Sequence, residues 1–172
     1  MRTMPGFVTT LETVIAGAIP GVFILLLLLE ARFPLRQAKR SKPARFVINA
    51  GISVLALGTG AFVVHPVATS LSVRLSEAHF GLLHIIPLPF AVDFVLGFLL
   101  MDLTVYYWHR VNHSIPLLWR FHNVHHVDPD LDVSTSFRFH FGEVSYSVGF
   151  RVLQVCLIGT SLFTYLVYQL VF

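Results

Sequence analysis

Residues 88–113 read LPFAVDFVLGFLLMDLTVYYWHRVNH. The first 22 of these, 88–109, are apolar but for Asp93 and Asp102, and a bilayer-crossing helix needs about 20 such residues. The run ends in His109 and His113, an H-x-x-x-H pair whose i,i+4 spacing puts both imidazoles on one helical face. A membrane helix that delivers histidines to its own end is the first expectation.

The rest of the chain supports a membrane setting. Of 172 residues, 55% are hydrophobic and only 12% charged, with mean hydropathy +0.74. Soluble domains carry about 25% charged residues, so a soluble globular domain is disfavoured and intrinsic disorder is excluded. Three further runs are long enough to span: about 9–29, 46–69 and 148–171. The expected class is all-α, a multi-pass transmembrane protein of about four spans with a histidine-rich cytoplasmic cap. The N-terminal run is read as a retained anchor, because no small-x-small cleavage site follows it. Expected boundaries are 1–89 for an N-terminal membrane hairpin with its connecting loop, and 90–172 for the histidine-bearing domain.

Charge gives orientation. The segment 31–46 holds Arg32, Arg36, Lys39, Arg40, Lys42 and Arg45 and no acid. Lying between two apolar runs, it reads as a cytoplasmic loop rather than a nucleic-acid surface. The 70–89 loop then falls outside, and 110–147, with Arg110, Arg120 and Arg138, falls on the cytoplasmic side, of the inner membrane if the source is bacterial. Cys156 is the single cysteine, so no intramolecular disulfide is possible.

The nine histidines sort by side. His65, His79 and His84 fall at the outer face, as loop or interfacial residues. His109, His113, His122, His125, His126 and His140 fall at the inner face. His122, His125 and His126 form H-x-x-H-H, again on one helical face. Ser114-Ile115-Pro116 should end one helix and start the next, and Asp128-Pro129-Asp130 should end the second. Two short helices would then point five imidazoles into one space. Imidazole is a borderline ligand suited to Fe, Zn, Cu and Ni, and five or six exceed what one catalytic ion takes from protein, so the count suggests two metals.

The run 101–143, MDLTVYYWHRVNHSIPLLWRFHNVHHVDPDLDVSTSFRFHFGE, resembles the fatty acid hydroxylase / sterol desaturase superfamily of membrane di-metal oxygenases, in particular its bacterial sterol desaturase-like members. The resemblance implies a di-iron (Fe2+) centre, with Zn2+ as a substitute, that uses O2 to hydroxylate or desaturate a fatty acyl or sterol-like lipid. It implies His109, His113, His122, His125 and His126 as ligands, and His140 as a further one. Glu143 would orient a histidine or bind metal. The lipid would enter from the bilayer. No haem or flavin motif is visible, so electrons would come from a separate donor protein.

Neighbouring residues have two readings each. Asp102 lies seven residues before His109, two turns along the same face, and would hold a ligand histidine's second ring nitrogen or make a packing hydrogen bond. Asp128 and Asp132 would orient ligands or serve as turn and cap residues. Arg138 would pair with an acid or meet headgroups. Tyr106, Tyr107 and Trp108 read as an interfacial aromatic belt.

The sequence departs from the family at its end. Family members carry a further H-x-x-H-H after a helical hairpin that returns the chain to the cytoplasmic face. Here 148–171 reads as one outward span with no returning helix, which predicts a C-terminally truncated family fragment, active or inert. A metal transporter is the competing class; it would place its ligands near the bilayer midplane, whereas these histidines cluster at one interface.

Overall fold

The computed structural model describes residues 5–34 and 39–171, leaving aside the side chains at 5–9, 11, 12 and 15. Arg36 therefore lies outside the described residues. Seven α-helices follow one another: α1 Pro5–Arg32, α2 Lys42–Thr59, α3 His65–Glu77, α4 Phe90–Ser114, α5 Pro116–His126, α6 Phe141–Ile158 and α7 Leu162–Val171. No strand occurs among the described residues. The all-α expectation holds. Among the described residues, three stretches are long and apolar enough to cross a membrane: Lys42–His84, Phe90–Ser114 and Phe141–Ile158.

The second apolar run is longer than the expected 46–69. α2 continues through a π-turn, Gly60–Val64, directly into α3. Pro66 explains the wide turn: it has no N–H to give and its ring would strike the carbonyl four residues back. The His65 N–H instead reaches the Gly60 carbonyl, which is the longer π bond. Residues 70–77, expected in a loop, are thus helical, and His65 lies within a helix, its ring stacked at 6.3 Å on Tyr165.

The fourth run is not one span. It breaks after Ile158, where Gly159 takes left-handed φ 73, ψ 36, and α7 starts three residues later. Ser161 caps the new helix, its Oγ accepting from the Thr164 N–H at 3.2 Å. α6 runs antiparallel to α4: Trp108 meets Ser147, Asn112 meets Tyr146, and Gln154 reaches the Met101 carbonyl. α7 runs the same way as α4, since Phe163 lies at 5.6 Å from both Phe90 and Phe94, and Tyr168 at 5.3 Å from Phe98. A returning helix therefore exists, and the expectation of an unbroken outward span is corrected. A charge-free run hides such a turn, because hydropathy is blind to a Gly-Thr-Ser corner.

The corner is held from outside. Gly81, at φ 113, sits so close that a Cβ there would come within 2.4 Å of the Gly159 Cα. The core lies where α3, α4, α6 and α7 meet, with Ala68, Met101, Val155, Tyr165 and Tyr168 at 0–1% exposure. Between membrane helices such packing works by van der Waals contact rather than by exclusion of water.

At the opposite end of α4, α2 presents a buried stripe, Arg45, Asn49, Ser53 and Ala56, to the segment 128–138. Arg45 forks onto Asp128, Nε to Oδ1 at 2.9 Å and Nη2 to Oδ2 at 3.0 Å, and reaches Asp132 Oδ2 at 2.6 Å. Asn49 donates to Ser134 Oγ at 2.8 Å and accepts from Arg138 at 3.1 Å, and Ser53 donates to the Phe137 carbonyl at 2.8 Å. The Lys39 and Arg40 backbone N–H groups close the clasp on Asp130, each at 2.9 Å.

Candidate metal centre

α4 ends at Ser114, and Ile115 is extended at φ −99, ψ 116, as the residue before a proline prefers. Pro116 then opens α5 at its first turn, where no N–H is needed. This corner folds α5 back so that its histidines meet those of α4.

Four imidazoles converge. His109, His113, His122 and His126 each offer a ring nitrogen, and these atoms all lie within 4.8 Å of one another. His109 Nε2 and His113 Nε2 are 3.0 Å apart, and His122 Nε2 and His126 Nε2 are 3.1 Å apart. Nitrogens bound at 2.0–2.1 Å to one ion stand about 2.9–3.4 Å from their neighbours, which is the spacing within each of these two pairs. His122 is buried and the other three are exposed, leaving one side of the cluster open. Trp119 lies along the open flank, its ring 5.0 Å from His113 and 5.8 Å from His126.

Glu143, at the first turn of α6, touches the buried histidine. Its Oε1 lies 2.7 Å from His122 Nδ1. A carboxylate there fixes the Nδ1–H tautomer and leaves the Nε2 lone pair aimed into the cluster. The other carboxylate oxygen, Oε2, is buried with no hydrogen-bond partner.

Burial biases the α5 rings towards the neutral form. Burial, with help from His126 and His113, pushes His122 down to about 4. His125 is also pushed down to about 4, by burial and then by His126, His122 and His109. Burial lowers His126 as well. A neutral imidazole is the form that binds metal.

The remaining expected residues lie elsewhere. His125 turns its ring flat against Phe139, centroids 4.9 Å apart, and its Nδ1 is buried without a partner. His140 caps α6, its Nδ1 accepting from the Gly142 N–H at 3.0 Å. Four of the five imidazoles of the two boxes bring ring nitrogens together; the His125 ring lies 5.0 Å from that of His126 but is stacked on Phe139. Asp102 is exposed on α4 and makes no hydrogen bond to a histidine among the described residues. Asp128 and Asp132 bind Arg45, and Asp132 also caps the short 3-10 turn Val133–Phe137 with a reciprocal capping box. Arg138 pairs with Asp128 at 3.1 Å.

Three partners escaped the sequence reading. Arg45 counted only as a loop charge, Asn49 as an apolar-run residue, and Trp119 not at all. The first two recur at i, i+4 and i+8 with Ser53, a polar stripe that periodicity within the apolar run could have shown.

The model of the fatty acid hydroxylase family matches residues 94–172. That segment contains every residue of the cluster and Glu143. Residues 94–172 are thus similar to the fatty acid hydroxylase family. The ornithine lipid hydroxylase OlsE of Rhizobium tropici is 34% identical over 74 residues, 43% of this chain. The chain spans 22% of that protein's length. No solved structure matches the chain.

Proposed function

We propose that this chain supplies the histidine centre of an O2-dependent membrane lipid hydroxylase. The observation that carries the reading is the set of four imidazole nitrogens within 4.8 Å, at the end of an apolar helix and inside the family segment. His109, His113, His122 and His126 would hold non-haem iron. Iron bound there supplies the activation of O2 for insertion of one oxygen atom into a lipid C–H bond. Two ions, as the resemblance implies, need more donors. His125 Nδ1 and Glu143 Oε2, both buried and unpartnered, are the groups at hand, with His140 beside them. An orphaned buried polar atom costs free energy unless something binds it, which supports assigning these two atoms to metal.

The chain's own residues set the conditions. Glu143 holds the His122 ring. Trp119 covers one flank of the cluster. The exposed face of α4 would receive the alkyl chain from the bilayer. The second oxygen atom leaves as water, which takes two electrons and two protons from outside, so a separate electron-donor protein is part of the proposal. The substrate class is an acyl lipid of the membrane, an ornithine-headed lipid being the first to try, because the relative is named for it.

The test is expression in a bacterium that makes ornithine lipids, followed by mass spectrometry of extracted lipids. The expected result is an O2-dependent species one oxygen heavier that vanishes in His122→Ala. Absence of any oxygenated lipid from iron-loaded protein supplied with reductant and O2 would overturn the reading.

A further inference from the structure

A crevice of about 310 Å³ opens between α1 and α2, away from the histidines and largely outside the family segment. Its walls are Ile19, Pro20 and Phe23 from α1, and Ala50 and Leu57 from α2, with Phe137 as floor. Two serines, Ser53 and Ser134, are the polar residues of the lining. Both are already engaged. Ser53 donates to the Phe137 carbonyl at 2.8 Å; Ser134 donates to Asp132 at 2.6 Å and accepts from Asn49 at 2.8 Å. Both hydroxyl protons are therefore committed and the rest of the lining is apolar, so a polar ligand would lose most of its hydration for at most an acceptor contact.

The walls are fixed rather than collapsible. Phe23 packs edge-on against Phe137 at 4.9 Å, and Glu30 on α1 accepts the Val133 N–H at 2.9 Å. The volume is within the range of small-ligand sites.

Its depth identifies the guest. Along α2 the lining starts at Phe46, beside the charged Arg45 clasp, and ends at Leu57. Eleven residues of helix rise about 16 Å. A bilayer's hydrocarbon core is about 30 Å thick, so a crevice of this length along α2 matches the depth of one leaflet, from the charged level to the bilayer midplane.

From these observations we infer that the crevice binds one alkyl chain of a bilayer lipid. The site is distinct from the histidine cluster and holds whether or not the cluster performs oxidation. Its floor lies two residues before Phe139, whose ring is stacked on His125, so the occupant rests against the segment that leads into the metal centre.

The test uses the full chain in lipid nanodiscs containing a phospholipid with a diazirine midway along one alkyl chain. After irradiation, labelled peptides are mapped by mass spectrometry. Labels concentrated on the crevice walls are expected, with loss of that labelling in Ala50→Trp, which fills the space. Val47→Trp, on an exposed part of α2, should leave it unchanged. Val54→Trp is a second filling variant if Ala50→Trp does not fold, and the wild-type map decides if neither folds. Labels spread evenly over outward-facing residues such as Leu99 and Leu103, or crevice labelling that survives a folded filling variant, would overturn the inference.

Discussion

Arg45→Met removes the centre of the clasp between α2 and the 128–138 segment. The Arg45 side chain is 6% exposed and Asp128 2%, so the pair is inside the protein. Methionine matches much of the arginine stem but leaves Asp128 and Asp132 without their shared cation. Breaking a buried pair by deleting one partner costs about 3–5 kcal/mol. Arg138 stays 3.1 Å from Asp128 and offsets part of this, so about 3 kcal/mol is expected. Arg45→Lys keeps the charge and loses the two-pronged geometry, and should cost about 1–2 kcal/mol. Denaturant unfolding of purified protein in detergent measures both. A cycle with Asp128→Asn should show a coupling of about 2 kcal/mol or more. A loss under about 0.5 kcal/mol in Arg45→Met, the range of an exposed surface pair, would refute the clasp.

Glu143→Leu should weaken metal binding about 10–100-fold through loss of His122 orientation, read by zinc or ferrous titration of Trp119 fluorescence in a Trp108→Phe background. His122→Ala should lower metal stoichiometry more than His140→Ala, because only the former belongs to the four-imidazole group; equal losses would contradict the geometry. The folded-state values of His122 and His125 lie below the unfolded value, so the unfolded chain takes up protons first as pH falls. Stability of the metal-free protein should therefore decline from about pH 6.5 towards pH 4 and level off below, and a flat profile across that window would count against burial of these rings. Gly159→Ala should abolish the folded state or cost several kcal/mol, since its Cβ would fall 2.5 Å from the Phe80 carbonyl oxygen at a positive φ; circular dichroism and melting in detergent report it.

The histidine centre was largely legible in the sequence because its ligands recur at helical spacing on two adjacent short segments. The corner between them was legible through Pro116. The fate of His125 was not, since the choice between facing the cluster and facing Phe139 depends on where the 138–140 segment returns. The positions of the apolar runs were readable, but how many helices each holds and where these end were not. The second run was expected to end at 69, whereas the helix continues through a π-turn to Glu77, and Gly159 went unnoticed within an uncharged run. The clasp joins Arg45 to a residue 83 positions away, a separation that no local pattern encodes.

The four converging imidazoles come from positions 109 to 126, two from each side of one proline corner. Closing so short a loop costs little chain entropy, whereas the Arg45 clasp must gather a far longer one. Nascent chain emerging from a ribosome would thus own a complete four-nitrogen binding set before α6 and α7 exist. An ion captured at that moment would act as a staple across the α4–α5 corner.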